Sequence, residues 1–397
     1  LLFALDEGLE EQQVIDELKQ HSGLDTVQIK PSLLQVKKLL INDQIARSYA
    51  DGLYPELKDH QTQQVQADVF KVKVASSSFA ITCQDQQLLN HIKQLLAPIA
   101  LEQNSDTEEV DFLFEIENSD ERYTFYSNDR VIEDNLNGNQ VMPLLIDRLQ
   151  ILSYQQSGYT FGFHGAALTK IDTQSAIEIK HQDQNKHETE SKHEAESKRE
   201  ATVRHSREGG NLNNDDNDQT RILLPGVSGA GKSTLTAELS KQEYQVYSDE
   251  IIAINDDLSL TPLQLPMAIK SGSWQHIVEL YDEIEALPQW HRRDGRILKY
   301  IWPDKIVSSD KDLNPKTFLI SPKFDKDATP TATKLDILDI IELVTHGGYQ
   351  LGVELTFDRV EQLIEFCQSI NAYQITYANS EQSHSLIDSI INSGESK

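Results

Sequence analysis

The sequence lacks any apolar run as long as the roughly eighteen residues that a membrane-spanning helix needs. It is also poor in basic residues, with 36 Lys and Arg against 64 Asp and Glu and a formal net charge of -28. A chain with this charge repels the phosphate backbone of nucleic acids. These two deficits predict a protein that neither crosses a membrane nor binds DNA or RNA.

Cysteine is almost absent, because only Cys83 and Cys367 occur and they lie far apart in the sequence. This excludes a disulfide framework and a cysteine-based zinc site, and it is typical of a reducing compartment. The start of the sequence has neither the basic flank nor the apolar core of a signal peptide. We therefore predict a cytoplasmic protein. Because the sequence does not begin with Met, we expect its N-terminus to be trimmed.

What the sequence does contain is the composition of a folded protein, with 38% hydrophobic residues in 397 positions. Residues 1–60 show amphipathic helical patterns, whereas from 69 to 83 apolar residues alternate with polar ones, which indicates strands. Helical patterns at 88–96 and 142–154 flank a further strand pattern at 110–116. We predict an α/β fold with a mixed sheet and flanking helices, preceded by a small helical unit.

Residues 181–220 interrupt these patterns, because this stretch is almost devoid of apolar side chains and contains a near-repeat. Such a segment cannot offset its ordering entropy by burial. We predict a disordered low-complexity insertion that divides the main domain into residues 66–180 and 221–392. Beyond it we expect a strand at 221–225, a helix at 233–241, a strand at 244–254, an irregular region to 324, and a tail of helix, helix, strand and helix.

A glycine-rich segment between the first strand and the first helix after the insertion matches the phosphate-binding pattern GxxxxGK[ST]. The predicted nucleotide-binding residues are Gly226, Val227, Ser228, Gly229, Ala230, Gly231, Lys232, Ser233 and Thr234. Glycines let consecutive backbone amides converge on phosphate oxygens, and the following helix directs its positive dipole end at the same anion. The Lys232 charge would meet the β- and γ-phosphates, and the Ser233 hydroxyl would ligate magnesium. The motif predicts ATP and Mg²⁺ as cofactors; the alternative is a glycine-rich turn with a surface lysine.

The pair Asp249–Glu250 follows the strand pattern that begins at Tyr244, only one helix and one strand after Lys232. This spacing is too short for a transport ATPase, and the sequence has no guanine-reading Asn-Lys-x-Asp element. We predict a compact kinase in which Asp249 accepts the proton of the attacking hydroxyl and Glu250 helps to hold magnesium. The alternative is a strand-ending turn with two solvated acids.

The order of three segments, 163–167, 223–235 and 248–250, resembles the HPr kinase/phosphorylase superfamily, and in particular the HPr-kinase-related proteins. The resemblance covers roughly residues 66–390 and implies a P-loop kinase domain of the HPr kinase type. It also implies that His164 lies near the catalytic carboxylate, whereas the residue alone would be interpreted as a structural histidine. Lys270 lies in a segment similar to a Lys-x-Gly-Ser element of those proteins. Arg292 and Arg293 are further candidates for contacts with phosphate or substrate, or are surface charges.

Two departures from the family limit what the resemblance implies. The second acid is Glu250, where HPr kinases proper carry aspartate, and their C-terminal HPr-docking signature is not recognised. The resemblance therefore implies neither HPr as the substrate nor the phosphorylase half-reaction. The N-terminal pattern looks like the later part of a PqqD-like winged-helix domain, a class that binds precursor peptides, and is equally consistent with a helical hairpin.

Taken together, these features predict an ATP- and Mg²⁺-dependent kinase that phosphorylates a hydroxyl, in the first place that of serine, on a peptide or protein. Two alternatives stay open: a small-metabolite kinase and a non-catalytic nucleotide-sensing interaction module. The sequence is compatible with a homo-oligomer but does not establish one.

Overall fold

The computed structural model describes residues 69–101, 110–170, 220–226, 229–307, 315–346 and 357–393. The predicted helical unit at 1–60, residues 181–219 of the predicted insertion, and Val227 and Ser228 lie outside these ranges. Within them the chain is α/β with mixed sheets, as the sequence predicts. None of the helices in these ranges combines the length and apolar character that a bilayer crossing requires.

Five strands form the first sheet, in the order β1 (Phe70–Val74), β2 (Ser77–Cys83), β3 (Phe112–Ser119), β4 (Arg122–Ser127) and β5 (Arg130–Leu136). Strands β2 and β3 are parallel, and the other neighbours are antiparallel. Helices α1 (Gln86–Leu96) and α2 (Gly138–Gln156) bury their apolar residues in one core with this sheet. Asp85 caps α1 by accepting hydrogen bonds from the amides of Gln87 and Leu88.

The second sheet begins with β6 (Phe161–Lys170), which lies antiparallel to β7 (Thr220–Pro225). On its other edge, β6 pairs with both β8 (Tyr244–Ser248) and β9 (Ile251–Ile254), and β10 (Leu260–Thr261) extends β9. The sequence predicted one strand over 244–254. The structure has two strands, because Asp249 and Glu250 interrupt the strand between them.

A three-stranded sheet lies within the region that the sequence analysis classed as irregular, so that prediction is wrong. Strands β11 (Met267–Lys270), β12 (Trp290–His291) and β13 (Ile297–Ile301) form it, with β13 in the centre. The short helix α3 (Lys232–Ser240) packs beside β11, and α4 (Trp274–Ile277) follows β11 after a 3₁₀ turn at Ser271–Ser273. Strands of two to five residues are too short to give a clear apolar period.

Strand β14 (Lys316–Phe324) completes the centre of the second sheet by lying parallel to β7. Beyond it come β16 (Asn371–Tyr377), parallel to β14, and β15 (Thr331–Lys334), antiparallel to β16. Helices α5 (Ile337–His346), α6 (Phe357–Ser369) and α7 (Ser380–Ser393) supply the predicted helices of the tail. Because β7, β14 and β16 are parallel, their carboxyl ends meet at one edge of the sheet.

Both faces of the second sheet are covered, which explains the continuous apolar run of β7. Ile222 and Leu224 face the core that contains residues of α3 and α7. Leu223 faces the opposite core, which contains residues of α5 and α6. The sheet is therefore the middle layer between two helical layers, and the loop that leaves β7 is held at a well-packed edge.

Candidate functional site

The glycine-rich segment connects the carboxyl end of β7 to the first turn of α3, as the sequence predicts. Gly229 and Gly231 have φ angles of 96° and 92°, in the left-handed region that favours glycine. A Cβ at Gly231 would lie 3.1 Å from the Tyr377 hydroxyl. Glycine at this position thus serves both the turn and the close approach of β16 to the loop.

Lys232, the first residue of α3, is buried with only 5% of its surface exposed. Its Nζ donates a hydrogen bond to the carbonyl oxygen of Gly226 at 2.7 Å, so the side chain reaches back across the loop. Burial lowers the pKa of the ammonium group, while the nearby charges of Glu250 and Asp249 act in the opposite direction. The charge of Lys232 is therefore held at the place where the motif predicts phosphate.

Asp249 lies between β8 and β9, beside the first turn of α3. The residue is buried, and its Oδ1 has no hydrogen-bond partner within the described structure. Burial and the charge of Glu250 raise the pKa of the Asp249 carboxyl to about 7, although the hydroxyls of Ser233 and Thr236 and the charge of Lys232 oppose this shift. The structure thus brings Asp249 together with the first turn of α3.

His164 lies on β6 directly beside this acidic pair. Its Nδ1 is 2.8 Å from the carbonyl oxygen of Glu250 and 3.6 Å from the Glu250 carboxylate. A carbonyl only accepts hydrogen bonds, so Nδ1 carries the proton in this contact. Burial lowers the pKa of the imidazole, against the effect of Glu250, which favours the neutral ring. The histidine thus orients the backbone of the acidic pair.

Lys270, at the end of β11, also faces this group. Burial lowers the pKa of its ammonium group, with a further contribution from Arg296, while Glu250 and Asp249 act in the opposite direction. Thr234, in the first turn of α3, bonds through Oγ1 to Ser273 Oγ at 2.9 Å, just after Lys270 in the chain. The two predicted lysines therefore approach the carboxylates from different elements.

The two candidate arginines lie in different surroundings in the structure. Arg292 Nη2 lies 2.8 Å from Oδ2 of Asp147 on α2, close to the acidic pair. Arg293 instead pairs with Glu133 and donates to the carbonyl oxygen of Asp134 at 3.1 Å, so its guanidinium points to β5. Among the two, only Arg292 is placed next to Asp249 and Glu250.

A recess of about 30 Å³ opens beside the acidic pair. Its polar walls include Asp147, Asp249, Glu250, Arg292 and Tyr300. Burial raises the pKa of the Asp147 carboxyl to about 6, although the charge of Arg292 opposes the shift. The recess thus presents two carboxylates with raised pKa values and one guanidinium to a small polar group.

Sequence reasoning missed Asp147 and Tyr300. Asp147 is an acid inside the strongly apolar helical pattern at 142–154, between the buried residues Ile146 and Leu149. That position was a usable signal, because an acid among buried helix positions needs a partner or a function. No comparable signal marked Tyr300, which lies in the short strand β13.

Comparisons of the chain with protein-family models, with curated proteins and with solved structures found no match. The chemistry of the site is therefore argued from its own geometry. That geometry combines a glycine-rich loop at a helix N-terminus, two lysines, and a buried carboxyl group whose pKa lies near neutrality.

Proposed function

We propose that the chain is an ATP- and Mg²⁺-dependent phosphotransferase that phosphorylates a hydroxyl group, in the first place that of a serine in a peptide or protein. We also propose that its main domain is a P-loop kinase domain of the HPr kinase type. The order of His164 on β6, the loop after β7, and the acidic pair after β8 supports this assignment, since the three segments meet in space.

The observation that carries the proposal is the unpartnered Oδ1 of Asp249 beside the first turn of α3. Burying a carboxyl oxygen without a partner costs free energy, so a purely structural residue at this position would be expected to have one. A carboxyl group with a pKa of about 7 is instead well suited to accept a proton near neutral pH.

In the proposed step, the oxygen of the acceptor hydroxyl attacks the γ-phosphorus of ATP, and the bond between that phosphorus and the β–γ bridging oxygen breaks. ADP leaves, and the hydroxyl proton passes to the Asp249 carboxylate. Lys232 and Lys270 balance the charge that the phosphoryl oxygens carry during the transfer. His164 keeps the acidic pair in place through the carbonyl group of Glu250.

The side chains present fit a magnesium ion that is held mainly by its nucleotide. No group of three or more His, Cys, Asp or Glu side chains in the described residues could hold a metal ion alone. Magnesium in kinases takes one or two protein carboxylates and completes its shell with phosphate oxygens and water. Ser233 and Glu250 are suitable ligands, which leaves Asp249 free to act as the base. When bound, the ion would neutralise charge on the β- and γ-phosphates.

The recess beside the acidic pair supports a small acceptor group. The centres of water-sized groups can occupy about 30 Å³ of it, which is enough for the end of a side chain. A hydroxymethyl group inserted there would meet Asp249, while Arg292 and Asp147 would hold neighbouring polar groups. The recess is thus compatible with the serine of a peptide or protein as the acceptor.

The proposal is tested by incubating the protein with Mg-ATP labelled at the γ-phosphate and with two acceptor sets, serine-containing peptides and small hydroxylated metabolites. We expect label in the peptide set. The variant Asp249→Asn should lower the transfer rate by about 10²- to 10⁴-fold, the usual contribution of a general base, while Mg-ATP still binds. Lys232→Ala should weaken Mg-ATP binding measured by calorimetry.

The control variant is Asp257→Asn, which removes an exposed acid on the β9–β10 hairpin outside the site. It should transfer label at the rate of the unmodified protein. If the protein binds nucleotide but transfers label to neither acceptor set, the kinase proposal is overturned and the alternative of a nucleotide-sensing module remains. If label is transferred to metabolites alone, the acceptor is a metabolite and not a peptide. If Asp249→Asn is fully active, Asp249 is not the base.

A further inference from the structure

An exposed aromatic side chain lies at the loop edge of the second sheet. Phe324 ends β14 with 55% of its surface exposed, and among the described residues it is the one aromatic side chain in the set of exposed large hydrophobics. On the same face of β14, Phe318 and Ile320 are fully buried against α3 and α7. The alternation therefore carries Phe324 beyond the core, to a position that the described helices leave exposed.

Phe324 is also adjacent to the phosphate loop. A Cβ built on Gly231 would lie 3.7 Å from Cβ of Phe324 and 3.1 Å from the Tyr377 hydroxyl. Phe324 and Tyr377 are register partners in the ladder, and their rings pack edge to face at 6.0 Å between centroids. Tyr377 is buried, so it fixes the position of the exposed ring.

The two neighbours of β7 give the loop two chemically different sides. The β6 side presents His164 and the acidic pair, where the γ-phosphate reacts. The β14 side presents Phe324 and no carboxylate of the catalytic group. A triphosphate bound with its γ-phosphate at Asp249 would therefore extend its nucleoside toward β14.

We propose that Phe324 is the stacking platform for the base of the bound nucleotide. This inference rests on the proposed function and adds to it a binding residue and a ligand class, the purine nucleoside triphosphates. Purines have a larger π-face than pyrimidines, and stacking alone tolerates either purine. The platform therefore predicts similar binding of Mg-ATP and Mg-GTP, with weaker binding of Mg-tripolyphosphate, which has no base.

The test is calorimetric titration of the unmodified protein and of Phe324→Ala with Mg-ATP and with Mg-tripolyphosphate. Loss of a base–aromatic stack should weaken Mg-ATP binding by about 5- to 150-fold. Binding of Mg-tripolyphosphate should not change measurably. Phe324→Trp, which keeps an aromatic face, should retain Mg-ATP binding. Ile364→Ala, which truncates an exposed apolar side chain on α6, should change neither affinity.

The outcomes separate the two proposals. Suppose that the unmodified protein binds both ligands. If Phe324→Ala then weakens the binding of both ligands equally, or leaves the binding of both unchanged, the stacking platform is refuted and the phosphate site stands. If the unmodified protein binds neither ligand, the proposed function itself fails, and the platform fails with it.

Discussion

Two buried carboxyl groups at α3 have opposite electrostatic environments. Asp249 is 8% exposed and Glu238, on the helix itself, is 4% exposed. Burial raises the pKa of both groups in the absence of other effects. The pKa of Asp249 nevertheless rises to about 7, whereas that of Glu238 falls below its ordinary value. Burial alone therefore does not decide which acid is ionised.

The difference comes from hydrogen-bond partners. Oε1 of Glu238 accepts hydrogen bonds from His276 and from the Ser380 hydroxyl, the latter at 2.9 Å. Nε2 of His384 lies 3.4 Å from Oε2 of Glu238, while the other ring nitrogen of His384 contacts Gln242. Together these groups outweigh the effect of burial. Glu238 joins α3, α4 and α7, which is a structural role.

Asp249 has the opposite arrangement, because one of its oxygens lacks a partner and the charge of Glu250 lies beside it. The hydroxyls of Ser233 and Thr236 and the charge of Lys232 favour its ionised form, but they do not outweigh burial and the charge of Glu250. The ionised form of Glu238 is therefore favoured by its partners, whereas that of Asp249 is disfavoured in the folded protein.

The largest effect on stability is expected from Asp249→Asn in the absence of nucleotide. The raised pKa means that the folded state disfavours the ionised acid, so wild-type stability falls as pH rises from about 4 to about 7. A shift of about three pKa units corresponds to a loss of at most roughly 4 kcal/mol of unfolding free energy. The variant lacks the ionisable group, so it should be more stable than the wild type by up to this amount at pH 8. Urea unfolding at pH 8 and pH 4 measures it; equal stability of the two proteins at pH 8 would contradict the assignment.

Glu238→Gln should change the unfolding free energy in the opposite direction and by a somewhat smaller amount. A lowered pKa means that the ionised acid stabilises the fold above its ordinary pKa, and this contribution is lost as pH falls through the folded-state pKa. Removing the charge should cost roughly 2 to 3 kcal/mol of unfolding free energy at pH 7. Denaturant curves at pH 7 and pH 3 should show a smaller loss at the lower pH. A stabilised variant would show that Glu238 is not held by its partners.

Ser380→Ala should give the smallest change. It removes one of the hydrogen bonds to Glu238 and leaves both histidines in place. We expect a loss of about 1 kcal/mol in unfolding free energy. Thermal unfolding at pH 7 measures it, with Ser393→Ala on the last turn of α7 as the matched control. A loss as large as that of Glu238→Gln would mean that the hydroxyl, rather than the histidines, holds the acid.

The sequence was sufficient where a feature depends on neighbouring residues. The loop, Lys232 and the helix that follows are consecutive, so their order along the chain is predictable without the fold. The helical patterns at 88–96 and 142–154 and the helix-helix-strand-helix tail have clear apolar periods, and the structure confirms these helices and the strand. The acidic pair was recognisable because it follows an apolar strand pattern.

Features that depend on the topology of the fold could not be predicted from the sequence. Strand β14 falls within the region to 324 that the sequence predicted to be irregular, and its Pro322 is a residue type that argues against a central strand. In the structure Pro322 lies beyond Lys316–Leu319, the part of β14 that pairs with β7, so its missing N–H removes no bond there. The pairing of Asp147 with Arg292 joins residues that are 145 positions apart in the sequence. Only the folded chain brings them together.

The hydrogen bond between Thr234 and Ser273 has a mechanical consequence for the two lysines of the candidate site. Lys232 lies two residues before one end of this bond, and Lys270 lies three residues before the other. The elements that carry the two ammonium groups are therefore joined by a short bridge in addition to the packing of α3 beside β11. Ligand-induced rotation of the first turn of α3 would be passed through that bridge to the strand end that carries the second lysine.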